Sequence, residues 1–257
     1  MPVLVDLFIC RTDNYGTLVH DVESRRTAAI DAPDAATLEA AVSRRGWVLT
    51  DIFVTHHHRD HVDGILGLKQ AFDCTVTGPR LEADKIDGID VTYMPGDVLT
   101  LGGTQLSVIG TPGHTLGHAA FYNAADGHVF TGDALFSMGC GRMFEGKPGP
   151  MWEGLKLLRD LPETTLMYCG HEYTVENARF ALSIDPRNTA LALRAAEVSR
   201  MRAEGRYTVP VSIGMERRTN PFLRADQPAL AAAMGLEADL DPAAVFAALR
   251  SAKDNFA

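Results

Sequence analysis

The run "WVLTDIFVTHHHRDHVDG", residues 47–64, constrains this chain more than any other stretch. Its first half, through His56, is a continuous apolar run closed off by Gly46, the pattern of a strand buried on both faces. Its second half, "THHHRDHVDG", packs four of the nine histidines and two aspartates into ten positions. A buried strand that runs straight into such a cluster must deliver it to one edge of a sheet, a common place for a site. His56 and His58 lie two residues apart, so in extended backbone both imidazoles point the same way and can reach one ion. Asp60 and His61 follow after one more residue. A turn into a helix there swings them to a different side, and the stretch then offers ligands to two ions. Imidazole and carboxylate suit Zn, Fe or Mn.

The rest of the chain supplies further ligands of the same kind. His114 in "TPGHTLGH", Asp133 in "FTGDALF" and His171 in "YCGHEYT" each follow a glycine just past a strand-like run. A lone histidine after a strand is more often a surface residue than a ligand. Seven such residues, each at a strand end, are unlike a chance arrangement. His57 alternates away from the ligand pair; His118 sits close to His114 and suits at most an outer shell. His20 and His128 read as ordinary residues.

The first 170 residues alternate short apolar runs with Gly, Pro, Asn and Asp. Strands are predicted at "VLVDLFI", "NYGTLVH", "TAAIDA" and "CTVTG". Hairpins are predicted around Gly102-Gly103 and Asp126-Gly127. A helix is predicted from Asp34, as N-cap, to Arg45, closed by Gly46. A short helix at "GILGLKQAF", another from Met151 to Leu161 and a strand at "TLMYCG" complete this part. From Tyr173 the periodicity turns helical, through "TVENARFALSI", "TALALRAAEVSRMRAEG", "QPALAAAMG" and "DPAAVFAALRSAKDNF". Two domains are therefore expected, a metal-binding one over 1–172 and a helical one over 173–257.

With 46% hydrophobic and 22% charged residues, the composition is that of a globular domain with a core of its own. No apolar run reaches the length of a membrane span. The net charge of −9 opposes binding to nucleic acid or to an anionic membrane. Four cysteines without tight spacing, and an N-terminus "MPVLVDLFICR" unlike a signal peptide, lead us to expect reduced thiols and a cytoplasmic location. A monomer is expected.

"THHHRDHVDG" resembles the T-H-x-H-x-D-H signature of the metallo-β-lactamase superfamily. "GTPGHTLGH", "FTGDALF", "YCGHEYT", "GCGRMFEG", "NPFLR" and "LRSAKDNF" look like the narrower pattern of glyoxalase II, the hydroxyacylglutathione hydrolases. The resemblance covers almost the whole chain. It implies an α/β fold, the αβ/βα sandwich of two mixed sheets, with a C-terminal helical domain that binds substrate. It also implies a dinuclear centre, most simply of zinc, with iron or manganese as the other candidates. His56, His58 and His114 would hold one ion, and Asp60, His61 and His171 the other. Asp133 would bridge the two beside a water or hydroxide, which Asp60 would orient.

Such a bridging water loses a proton near neutral pH and can attack a thioester carbonyl. The leaving thiolate departs with little help, because its parent thiol has a pKa of about 8.5. For the glutathione moiety, the resemblance implies contacts from Arg142, Phe144, Tyr173, Arg250 and Lys253. Phe144 stands where some members carry Tyr. Arg250 and Lys253 lie three apart on one helix face. The expected reaction is hydrolysis of S-(2-hydroxyacyl)glutathione, such as S-D-lactoylglutathione to glutathione and D-lactate, the second step of methylglyoxal detoxification. A glutathione persulfide dioxygenase with one iron is the alternative. A lactonase or β-lactamase would not need Arg250 and Lys253, a nuclease would prefer a basic surface, and a structural metal module would be Cys-rich.

Overall fold

The computed structural model describes residues 2–256. The chain divides into two units, one of residues 2–110 and 115–132, the other of 111–114 and 133–256.

In the first unit, β1 (Leu4–Cys10), β2 (Asn14–Asp21) and β3 (Arg26–Ile30) form an antiparallel meander. The helix α1 (Ala35–Arg45) then returns the chain to β4 (Leu49–Phe53), which pairs parallel with β3. The ends of α1 are as the sequence predicts. The Asp34 carboxylate accepts the Thr37 N–H at 2.9 Å, and Gly46 closes the helix at φ 66°. Its Leu38, Ala41 and Val42 are buried, one face of a 3.6-residue period. They join Leu18, Ile52, Val54, Leu68 and Val76 in the core beside the sheet.

After β4 come α2 (Arg59–Val62), α3 (Ile65–Phe72), β5 (Thr75–Pro79), a 3₁₀ turn (Arg80–Lys85) and β6 (Val91–Tyr93). The six strands stand in sequence order, and β5 and β6 continue the parallel part. The predicted strand through His56 stops at Phe53. The Val54 N–H still reaches the Thr77 carbonyl at 2.9 Å, but the next N–H, of Thr55, goes to the Asp31 carboxylate at 2.6 Å instead of to a strand. The same unit carries an antiparallel run of β7 (Val98–Leu101), β8 (Thr104–Gly110), β9 (Ala119–Asn123) and β10 (His128–Gly132). Leu101 faces Thr104, which leaves Gly102-Gly103 as the hairpin loop.

The second unit begins its regular structure with the two-residue strands β11 (Leu135–Phe136) and β12 (Gly139–Cys140). The helix α4 (Pro148–Arg159) starts three residues before the predicted Met151. "KPGPM" reads as a breaker, but Pro148 occupies the first turn, where a missing N–H costs nothing. Then follow β13 (Leu166–Cys169), α5 (Thr174–Ile184), α6 (Thr189–Ala203), β14 (Val211–Ser212), α7 (Ile213–Thr219), a 3₁₀ turn (Pro221–Leu223), α8 (Pro228–Ala233) and α9 (Pro242–Asp254). The helices α5 and α6 bury Ala178, Ala181, Leu191, Ala195 and Val198 against Met138. The aromatic rings of Phe180, Phe222 and Phe246 are fully buried, with Phe222 and Phe246 centred 6.0 Å apart and Trp152 of α4 6.2 Å from Phe246. Truncating any one of these phenylalanines to Ala would cost about 3–5 kcal/mol.

The strands β6, β11, β12 and β14 and the helix α7 have no counterpart in the sequence expectations. The strands are two or three residues long, too short for a period of two to register. The sequence of α7, "IGMERRT", lacks an apolar stripe, and its buried Glu216 is satisfied largely by distant partners, the Ser137 hydroxyl at 2.9 Å and the Met138 N–H at 2.8 Å, besides Asn220 Nδ2 at 3.0 Å. No helix among the described residues is long and apolar enough to cross a membrane. All four cysteines are free and buried.

Candidate metal centre

The first unit holds its candidate ligands at the end of β4. His58 caps α2 in extended backbone (φ −61°, ψ 143°), and the chain then turns into the helix that carries Asp60 and His61. That turn produces two pairs. His56 Nε2 and His58 Nδ1 lie 3.1 Å apart, and Asp60 Oδ2 lies 3.7 Å from His61 Nε2.

Hydrogen bonding assigns the ligating atoms. Thr55 Oγ1 donates its proton to Asp31 Oδ2 at 2.8 Å, so it accepts from His56 Nδ1–H at 3.0 Å, and His56 Nε2 carries the lone pair. His61 Nδ1–H donates to Asp31 Oδ2 at 2.8 Å, which leaves the Nε2 lone pair of His61 on the side of Asp60. Two imidazole nitrogens bound to one tetrahedral zinc at 2.0–2.1 Å stand about 3.3 Å apart, close to the His56–His58 spacing. Asn14 Nδ2 holds Asp60 at both its carbonyl and its carboxylate, each at 3.1 Å. Asp31, His56 and His61 also have atoms within 4.8 Å of one another. Asp31 is nonetheless an outer residue, because its carboxylate is committed to the Thr55 N–H, the Thr55 hydroxyl and His61.

Asp31, which the sequence reading missed, sits at φ 61° just past β3. An aspartate tolerates that left-handed conformation better than a branched residue, and there the carboxylate turns back toward Thr55. Glu82 was missed as well. It is almost fully buried, and its carboxylate takes the backbone N–H and the Nδ1 of His57 at 2.9 and 2.8 Å and the Gly117 N–H at 2.6 Å. The His57 ring is thereby turned to Glu82. His118 is buried with its ring centred 4.9 Å from that of His56. His20 stacks on Trp47.

The second unit gathers the other three candidates. Asp133 Oδ2 lies 3.4 Å from His114 Nε2 and 3.4 Å from His171 Nε2. All three residues are buried. One carboxylate oxygen thus stands equidistant from two imidazole nitrogens, at a distance longer than an ordinary hydrogen bond and compatible with donors around a cation. His114 Nδ1–H donates to the Arg142 carbonyl at 2.8 Å, so its Nε2 carries the lone pair. Imidazole nitrogens beside a carboxylate, with acceptors holding the far side of the rings, are a donor set that fits divalent cations.

The residues expected to meet substrate all lie in the second unit. Phe144 is exposed, its ring 5.3 Å from that of His114, and the Arg142 guanidinium lies 5.8 Å from the Phe144 ring. The Tyr173 ring stacks on His171 at 4.7 Å. Arg250 lies on α9. It is 5% exposed, and its Nη1 donates to the Cys140 carbonyl at 2.8 Å. Lys253 Nζ donates to the Glu176 carbonyl at 3.2 Å and lies over the rings of Phe180 and Phe256. Burial and the neighbouring Arg250 charge hold the Lys253 amine below its ordinary value.

Known proteins resemble the chain along its whole length. The model of the metallo-β-lactamase superfamily matches residues 24–171, and that of the hydroxyacylglutathione hydrolase C-terminus matches residues 172–256. A hydroxyacylglutathione hydrolase of Brucella anthropi is 53% identical over 252 residues, spanning 98% of this chain and 96% of the relative. One of Rhizobium meliloti is 51% identical, spanning 98% of each. Among solved structures, the BLEG-1 B3 metallo-β-lactamase is similar with a TM-score of 0.65 at 20% identity, over 86% of this chain and 99% of that one. This last likeness carries the fold alone.

Proposed function

The chain belongs to the hydroxyacylglutathione hydrolase family, thioester hydrolases of the metallo-β-lactamase fold, and on that premise we propose how its residues divide the work. The two half-sets of ligands serve the same two divalent cations, most simply zinc. His56, His58 and His114 would hold one, Asp60, His61 and His171 would hold the other, and Asp133 would serve both. The observation that carries this reading is the Asp133 oxygen 3.4 Å from the Nε2 of both His114 and His171.

When bound, the two cations supply a water activated near neutral pH and a Lewis acid for the thioester carbonyl. The protein's own residues supply orientation. Asp31 and the Arg142 carbonyl keep the protons of His61 and His114 on Nδ1 and so present Nε2. Asp60, steadied by Asn14, would both help to hold a cation and accept a hydrogen bond from the nucleophile. A thiolate whose parent thiol has a pKa of about 8.5 needs no dedicated acid to leave, which suits a site whose polar side chains are nearly all ligands. Residues 173–257 act as the substrate-binding domain. Arg142, Phe144, Tyr173, Arg250 and Lys253 hold the glutathione moiety, and Arg142, the most exposed of the cations, meets a substrate carboxylate.

The substrate is an S-(2-hydroxyacyl)glutathione, with S-D-lactoylglutathione the typical case. A cytoplasmic monomer is part of the same proposal, and the four free thiols support that compartment. The test is steady-state hydrolysis of S-D-lactoylglutathione with metal analysis of the same sample. Release of glutathione and D-lactate by protein carrying two ions per chain is the expected result. Oxygen consumption with glutathione persulfide, and no thioester hydrolysis, would replace this reading with the dioxygenase.

A further inference from the structure

The hairpin β11–β12 is held from α7 and the residue just past it by two fully buried polar side chains, Glu216 and Asn220. Phe136 faces Gly139 across the hairpin, which leaves Ser137-Met138 as the loop. Met138 sits there at φ 55°, a left-handed conformation that methionine seldom adopts. The Glu216 carboxylate takes two donors of the loop, the Ser137 hydroxyl at 2.9 Å and the Met138 N–H at 2.8 Å. Asn220 Nδ2 donates to the carbonyls on either side of the loop, Phe136 at 3.1 Å and Gly139 at 2.9 Å, and lies 3.0 Å from Glu216 Oε2. The two side chains thus clamp one tight turn through three backbone groups and one hydroxyl. The same hairpin reaches all three proposed ligands of the second unit. Its first strand begins two residues after Asp133. Its second strand leads through Gly141, whose N–H donates to the Ala134 carbonyl at 3.2 Å, to Arg142, whose carbonyl accepts the His114 Nδ1–H at 2.8 Å. Phe136 sets its ring edge to face with that of His171, the centroids 6.1 Å apart.

We propose that Glu216 and Asn220 are positioning residues of the metal centre: they fix the β11–β12 turn, and the hairpin in turn sets Asp133, His114 and His171. Without the Glu216 carboxylate, the Met138 N–H and the Asn220 amide would be buried without their acceptor. The turn already holds Met138 in an unfavourable conformation, so it would rearrange to find other partners. Asp133 and the Arg142 carbonyl, at the two ends of the hairpin, would shift with it, and His114 would lose the fixed acceptor that selects its tautomer. The inference rests on the reading of Asp133, His114 and His171 as ligands.

Two variants of Glu216 test it. Glu216→Met keeps the volume and removes both acceptors. Glu216→Gln keeps an acceptor for Met138 and Asn220, and its amide can donate to the Ser137 oxygen. Zinc affinity is read by competition with a chromophoric chelator. Alongside it, kcat and KM are measured for S-D-lactoylglutathione and for a small neutral thioester. Glu216→Met is expected to lose about tenfold in zinc affinity and about tenfold in kcat on both substrates, with KM within about twofold of wild type. Glu216→Gln is expected to recover most of both. Unchanged zinc affinity in Glu216→Met with only a lower melting temperature would overturn the proposal in favour of a purely structural role. A rise in KM with zinc affinity and kcat unchanged would overturn it in favour of an effect on substrate binding. Should the methionine variant not fold, the milder Ser137→Ala, which removes one link of the clamp, decides alone: a roughly threefold loss of zinc affinity supports positioning, and none contradicts it. If wild-type protein binds zinc but hydrolyses neither thioester, the functional reading fails while the zinc comparison still judges the clamp.

Discussion

The Asp31 carboxylate lies 2.8 Å from Nδ1 of His61, and both residues are buried. The same carboxylate takes the N–H and the hydroxyl of Thr55, whose oxygen in turn accepts from His56. One outer residue therefore sets the tautomers of two proposed ligands, one for each ion. Asp31→Ala is expected to weaken zinc binding about 10–100-fold and to lower kcat with it. Asp31→Asn keeps an acceptor and tolerates φ 61°, so it should lose less. Chelator competition on both variants checks this, and equal affinity in Asp31→Ala and wild type would contradict it.

Glu82 ties two loops of the first unit together through a single buried carboxylate. Removing it leaves the His57 and Gly117 N–H groups without their acceptor. Glu82→Ala should destabilise the protein by about 3 kcal/mol, and Glu82→Gln, which keeps one acceptor, by about half of that. Urea unfolding of the three proteins measures the difference. A variant as stable as wild type would mean that the loops are held otherwise.

Stability should also depend on Asp21 at acid pH. Burial pushes its carboxyl up, but hydrogen bonds from Ser24, Thr104 and Glu23 outweigh that and bring it from 3.8 to about 2. A carboxyl lowered in the folded state stabilises fully above its unfolded value and loses the contribution as pH falls toward the folded value. Asp21→Asn should therefore cost about 1–2 kcal/mol at neutral pH, and its deficit should narrow as the pH drops from about 5 to about 3. Melting curves of wild type and variant across that range test the sign. A deficit that does not change with pH would contradict it.

The grouping of the candidate ligands was legible because sequence spacing reports it. His56 and His58 two apart in extended chain, and Asp60 and His61 beyond a helical turn, meet in the pairs that the spacing implies. The helix α1 was legible for a similar local reason, since Asp34 and Gly46 mark its ends. Asp31 and Glu82 were not. Each works through a partner 24 or more residues away: Thr55 and His61 for Asp31, and His57 and Gly117 for Glu82. A single charged residue carries no spacing signal of its own. The Arg250–Lys253 spacing likewise reports that the two share a side of α9 and not what covers that side.

Zinc titration of metal-free protein, with S-D-lactoylglutathione hydrolysis followed at each addition, tests the central claim most directly. Two ions sharing Asp133 predict activity that rises to a maximum at two equivalents of zinc, and an Asp133→Ala variant that stays inactive throughout. Full activity at one equivalent or without zinc, or a fully active Asp133→Ala variant, would contradict it.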